Sequence, residues 1–194
     1  MLQIRIHGRG GQGVVTAAEM LAVAAFREGK HAQAFPSFGS ERMGAPVVAF
    51  CRIDDHEIRS REPVMEPDVL IVQDPTLFHS VDVFQGVSPD GFILINSTRA
   101  PDELGIAPVT GRYAAGQVRT IPATELALLH VGRPIPNAVL LGAFAALTNA
   151  VTLDAALAAV GERFKGSVAE KNCAAAMAGY DVIRQQIPAE VGAC

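Results

Sequence analysis

Leu2, Ile4 and Ile6 alternate with polar residues, the period-two signature of a short strand. A cluster of glycines follows, from Gly8 to Gly13. Val14, Ala17, Ala18, Leu21, Ala22 and Ala25 then recur at helical spacing, with Gly29 placed to end that helix in a left-handed turn. His31 to Phe38 reads as a loop or short strand, and Pro46 to Ile53 (PVVAFCRI) as a β-rich run closed by the turn pair Asp54-Asp55. Two short, wholly apolar runs come next. Val69 to Val72 ends at Asp74-Pro75, and Phe92 to Ile95 ends at Asn96-Ser97; such runs are typical of buried parallel strands. Between them Thr76 to Phe84 is expected to be helical. Gln117 to Ile121 reads as one more strand before a helix over Ala123 to Val131.

The last third is helical in pattern: Asn137 to Asn149, Leu153 to Phe164, and a third helix running to about Gln186. Ser167-Val168-Ala169-Glu170 has the capping-box form, with Ser167 as N-cap and Glu170 three residues on. The alanine-rich stretches at 155–159 and 174–178 suit close helix packing. Short buried strands alternating with helices predict an α/β fold. Its architecture is Rossmann-like, a doubly wound, mostly parallel sheet with additional C-terminal helices.

Composition narrows the class. The chain has 194 residues, 49% of them hydrophobic and 19% charged, with a net charge of −4. A folded chain of this size buries about 70% of its extended surface, enough for one core, so residues 1–194 are expected to form a single domain. Disorder, collagen and a disulfide scaffold are excluded. Mild acidity argues against a nucleic-acid partner. The most apolar stretch, Ala138 to Ala146, is too short to span a bilayer. The start of the chain passes straight into a strand pattern, without the profile of a leader, and cysteines without partners suit a reducing compartment; a cytoplasmic protein is expected. Cys51, Cys173 and Cys194 are scattered, with no metal-ligand spacing and no iron–sulfur signature.

The strongest local signal is Gly8-Arg9-Gly10-Gly11-Gln12-Gly13, a GxGxxG run between a strand and a helix. Glycines permit a tight turn and close backbone approach, and the helix N-terminus offers free N–H groups to an anion. A purely structural reading, a turn that lets helix and strand pack tightly, stays open. Nicotinamide dinucleotide binding fails a further test. It wants an acid at the end of the second strand for the ribose hydroxyls, and Ala32 to Phe38 contains none. A second loop, Pro36 to Pro46, holds Gly39, Gly44, Glu41 and Arg42. Arg42 is read either as a clamp for a carboxylate or phosphate or as a surface partner of Glu41. His7 is expected to be structural, and Cys51 a small buried hydrophobe.

These segments together resemble the gamma subunit of 2-oxoacid:acceptor oxidoreductases, the family that includes pyruvate:ferredoxin oxidoreductase. The resemblance rests on GRGGQG with the following VVTAAEMLA helix, PSFGSERMGAPVVAFCRI, Val69–Asp74, Ile95-Asn96-Ser97, Pro136-Asn137 through Gly142-Ala143, and Phe164-Lys165-Gly166 with Glu170-Lys171-Asn172. It covers essentially the whole chain. Met43 departs from the pattern, which more often has a second basic residue there.

The resemblance implies oxidative decarboxylation of a 2-oxoacid to an acyl-coenzyme A and CO2. Thiamine diphosphate, Mg and iron–sulfur clusters are expected mainly on alpha-, beta- and delta-type partner subunits. Electrons would pass through those partners to a ferredoxin-like or NAD-linked acceptor. This chain would not be catalytic alone. It would help form the coenzyme A cleft through Gly8, Arg9, Gly10, Gly11, Gln12, Gly13, Arg42, Gly44, Asn96 and Asn137. Gln12 is read as a cofactor contact or a helix cap, Asn96 as a ligand or a turn residue, and Asn137 as a ligand or an N-cap. Two other classes stay open: a stand-alone NAD(P)-dependent dehydrogenase, and an assembly subunit whose glycine loop touches only protein.

Overall fold

The fold is known from a computed structural model, which describes residues 1–37 and 43–187. Arg42 and Cys194 lie outside the described residues. Strand β1 (Leu2–Arg9) leads through the glycine loop into α1 (Val14–Arg27). Strands β2 (His31–Pro36) and β3 (Pro46–Asp54) follow, then β4 (Val69–Val72) and a 3-10 helix at Pro75–His79. After β5 (Phe92–Asn96) come the short α2 (Ala107–Thr110), β6 (Val118–Ile121) and α3 (Ala123–Val131). Helices α4 (Asn137–Thr148), α5 (Leu153–Arg163) and α6 (Gly166–Gln186) complete the chain.

The six strands form one mixed sheet in the order β2-β3-β1-β4-β5-β6. The half built from β1, β4, β5 and β6 is parallel, as expected from the apolar runs. The other half differs from a uniformly wound sheet. β3 lies antiparallel between β1 and β2. A period-two pattern tells which residues share a face but carries no direction, so the reversal is invisible in PVVAFCRI.

Side chains of alternate parity divide the core in two. Ile4, Ile6, Cys51, Val69, Ile71, Leu94 and Ile121 point to the face covered by α1, α3, α4, α5 and α6. Leu70, Val72, Ile93 and Ile95 point to the other face, where they meet Leu77, Val83 and Ile106 from connecting segments. The expected helix over Thr76 to Phe84 is therefore only the 3-10 turn Pro75–His79. Leu77 and Val83 both enter this core. Six residues apart, a continuous helix would set them about 120° from each other, so the chain unwinds to bury both.

Two other local expectations change. Ser167 does not cap α6. Lys165 is extended and Gly166 turns at a φ of 56°, so Lys165 takes the N-cap place, two residues before Ser167, and has no side-chain cap. Thr152 instead caps α5, its Oγ1 accepting the Ala155 N–H at 3.2 Å. No helix among the described residues is long and apolar enough to cross a membrane.

A candidate anion cleft beside the glycine loop

β1 is the point where the chain order of the sheet reverses. One connection leaves toward β2 and β3, and the next strand, β4, pairs on the opposite side. Open α/β sheets bind ligands beyond the strand ends at such a point. The glycine loop stands there, with Gly11 at φ 94° and Gly13 at φ 73°, both in the left-handed region. Gly13 is required twice over, because a Cβ on it would lie 2.7 Å from the Asn137 Nδ2. The loop therefore seats directly on the start of α4.

A cleft of about 430 Å³ opens on the helix side of this contact. The glycine loop and α1 line it with Gly11, Gly13 and Thr16, the segment between α3 and α4 with Arg133, and the α5–α6 region with Arg163 and Lys171. The N-termini of α1, α4 and α6 converge on it, and no capping side chain from elsewhere closes any of the three. Each such terminus presents unpaired N–H groups and a partial positive charge. Among the described residues no acid lines the cleft. Among the described residues, Arg133, Arg163 and Lys171 take part in no ion pair.

Two buried amides complete the surface. Asn137, 3% exposed, accepts the Ala138 N–H on its Oδ1 at 2.8 Å, and its Nδ2 has no partner among the described residues. Asn172, 4% exposed, donates its Nδ2 to the Val168 carbonyl at 2.8 Å, leaving its Oδ1 available. The cleft thus offers cations, helix N–H groups, an amide donor and an amide acceptor beside the apolar Val131, Ile135, Phe164 and Val168. Such a lining suits a ligand with both anionic groups and an apolar arm.

The residues singled out from sequence are distributed unevenly. Gly11, Gly13 and Asn137 line this cleft. Gly10 and Arg9 line a neighbouring hollow of about 300 Å³ with Gly11 and Gly13, on the β3 side of the loop. Gly8 lies beneath the loop, where a Cβ would strike Val14 Cγ2 at 2.6 Å. Gly44 stands beside the loop and receives the Arg9 guanidinium on its carbonyl.

Asn96 joins elements rather than facing this cleft. Its Nδ2 donates to the Gln73 carbonyl and to Thr124 Oγ1, both at 2.8 Å, and its Oδ1 accepts the Thr124 N–H. With Gln12 it borders a separate opening of about 370 Å³. Gln12 is not a helix cap: its Oε1 accepts the Arg9 N–H and its Nε2 donates to Asp74. Arg133, Arg163, Lys171 and Asn172 were not singled out for chemistry from sequence. The only signal was that Lys171 and Asn172 stand in a recognisable segment near Phe164; their convergence needs the packing of α5 and α6.

The described side chains form no metal site of their own. Among the described residues no group of three His, Cys, Asp or Glu could hold a metal. Cys51 is buried, which pushes its thiol up to about 12, and Cys173 packs in α6 with its thiol raised by burial as well.

Fold and cleft together define an α/β chain with a candidate anion cleft near the switch point of its sheet. The chain belongs to the pyruvate ferredoxin/flavodoxin oxidoreductase family, matched over residues 3–182, and stands among its gamma-type subunits. It is 48% identical to the pyruvate synthase subunit PorC of Methanothermobacter thermautotrophicus, over 95% of this chain and 97% of that protein. It is 45% identical to the common gamma subunit of the pyruvate/ketoisovalerate oxidoreductases of Thermococcus kodakarensis, over 93% and 96%.

Among solved structures, the pyruvate oxidoreductase subunit PORC of Thermotoga maritima superposes with a TM-score of 0.79 at 37% identity, covering 93% of this chain and 95% of that one. The 2-oxoglutarate:ferredoxin oxidoreductase of Magnetococcus marinus, solved with 2-oxoglutarate, coenzyme A and succinyl-CoA, shares the fold. It does so at a TM-score of 0.71 and 20% identity, covering 96% of this chain and 31% of that one. This chain is accordingly a subunit of an oxidoreductase, and such relatives imply partner subunits.

Proposed function

We propose that this chain supplies one wall of the coenzyme A cleft in a multisubunit enzyme that oxidatively decarboxylates a 2-oxoacid to an acyl-coenzyme A and CO2. The observation that carries this reading is the cleft of about 430 Å³ with three unpaired cations, three helix N-termini and, among the described residues, no acid. Coenzyme A joins phosphate groups to a long uncharged arm. Arg133, Arg163 and Lys171 suit the phosphates; Val131, Phe164 and Val168 suit the arm. On this reading thiamine diphosphate, Mg and iron–sulfur clusters are carried mainly by alpha-, beta- and delta-type partners. Those partners pass electrons to a ferredoxin-like or NAD-linked acceptor. The two cores lie on opposite faces of one six-stranded sheet, which supports a single domain over residues 1–194, and a cytoplasmic setting goes with this reading.

The dehydrogenase reading loses support from the sheet. β2 is HAQAFP, so its end has no carboxylate for a ribose. The test is kinetic. A charge-assisted hydrogen bond contributes about 1.5–3 kcal/mol, and these side chains are exposed and screened, so the low end applies. Arg163→Ala and Lys171→Ala in the assembled enzyme should each raise KM for coenzyme A about tenfold and leave KM for the 2-oxoacid unchanged. If only assembly changes, the chain is an assembly subunit; if fluorescence titration shows tight NADH binding that either variant abolishes, it is a dehydrogenase.

A further inference from the structure

The side-chain donors of the glycine loop bond to other segments of the chain. Arg9 places its Nη1 on the Gly44 carbonyl at 3.0 Å and its Nη2 on Thr76 Oγ1 at 2.8 Å. Its Nε sits 3.2 Å from the Asp74 Oδ2. The Asp74 carboxylate also accepts the Gln12 Nε2 at 2.9 Å, the Thr76 N–H at 3.0 Å and the Thr76 hydroxyl at 2.6 Å. One carboxylate thus gathers donors from the glycine loop and from the segment after β4.

The same network reaches the entry of β3. Gly10 N–H donates to the Ala45 carbonyl at 2.9 Å, and Gly44 N–H to the Gly10 carbonyl at 3.1 Å. The Met43 thioether lies against Gly11, where a Cβ would meet its sulfur at 2.7 Å. Asp74 does not line the anion cleft, yet Gly11 and Gly13 do. Burial opposes the ionised Asp74, but the hydrogen bonds from Thr76 and Gln12 outweigh it and keep its carboxyl below the usual range.

We propose that Asp74 is a positioning residue for coenzyme A binding, holding the glycine loop and the β3 entry segment in the arrangement that forms the cleft wall. This rests on the coenzyme A reading given above. Replacing the carboxylate with an amide removes an acceptor for Gln12 and Arg9 without changing shape. Exchanging the two groups restores a donor facing an acceptor.

The assembled enzyme should therefore be measured with Asp74→Asn, and with Asp74→Asn combined with Gln12→Glu. The single variant should raise KM for coenzyme A about tenfold while kcat at saturating coenzyme A and KM for the 2-oxoacid stay within twofold. The exchange variant should recover KM for coenzyme A to within about threefold of the parent. Should Asp74→Asn fail to assemble, Arg9→Lys, which keeps the charge and loses the fork to Gly44 and Thr76, is read by the same KM-against-kcat split. An unchanged KM for coenzyme A, an equal rise in both KM values, or no recovery in the exchange variant overturns the proposal. If Arg163→Ala raises KM for coenzyme A while Asp74→Asn does not, only the positioning role falls. If neither does, the coenzyme A reading falls with it.

Discussion

His7 stands on β1 facing away from the helices, 5% exposed, with no partner for its Nε2. Burial first, and the Arg5 guanidinium second, lower its pKa from 6.5 to about 4. The neutral ring is therefore the folded form. In the unfolded chain the ring takes up a proton near 6.5, so folding stability is full above that pH and is lost as pH falls toward 4. The loss is on the order of 3 kcal/mol over that window, at 1.36 kcal/mol per unit. Urea unfolding followed by circular dichroism at a series of pH values should show this slope, and His7→Phe should flatten it. At this scale the sequence was legible for types more than for partners. Cys51 is the small buried hydrophobe expected from its β run. Gln12 does not cap the helix, and its partner Asp74, 62 residues away, could not be read from the local sequence.

At the scale of elements, the closest packing is between α4 and α6. A Cβ on Gly142 would lie 1.8 Å from the Ala176 carbonyl oxygen, and one on Gly179 would lie 2.1 Å from that of Val139. The two helices touch backbone to backbone through reciprocal glycines. The alanine-rich 174–178 stretch forms part of the same contact, as the composition suggested. Gly142→Ala must push the helices apart, and overpacking of this kind costs about 1–3 kcal/mol or more. A lowered urea midpoint is the expected result, larger than for Gly161→Ala, where a Cβ meets nothing within 4 Å. Because α6 carries Lys171 and Asn172 into the cleft, Gly142→Ala should also weaken coenzyme A binding. Helix existence was readable from periodicity over 137–149 and 153–164. Helix starts were less so: the Ser167 capping box matched in letters but not in frame, since Gly166 had already turned the chain.

At the scale of the molecule, a net charge of −4 gives no general attraction for a polyanion. The attraction has to come from the local field of Arg133, Arg163 and Lys171 with three helix termini. Salt screens exposed charges over a length that shrinks from about 10 Å at 0.1 M to about 3 Å at 1 M. Raising ionic strength across that range should increase KM for coenzyme A severalfold in the assembled enzyme. The increase should be smaller in Arg163→Ala, which has less field to screen; an equal salt response in both would remove the cleft cations from coenzyme A binding.

The sequence by itself determined the α/β class, the strand and helix periods, the glycine loop and the family, because each is written in neighbouring residues or in an ordered set of short motifs. It also located Gly11, Gly13 and Asn137, whose local roles follow from a tight turn and a helix start. Tertiary structure alone decided the antiparallel insertion of β3, since a strand's pattern has a period but no direction. It alone gathered Arg133, Arg163, Lys171 and Asn172 at one cleft, and it turned Arg9 and Gln12 inward onto Asp74. The Gln12–Asp74 contact spans 62 positions, and only the packing of the sheet and its connecting segments brings the two within hydrogen-bond reach.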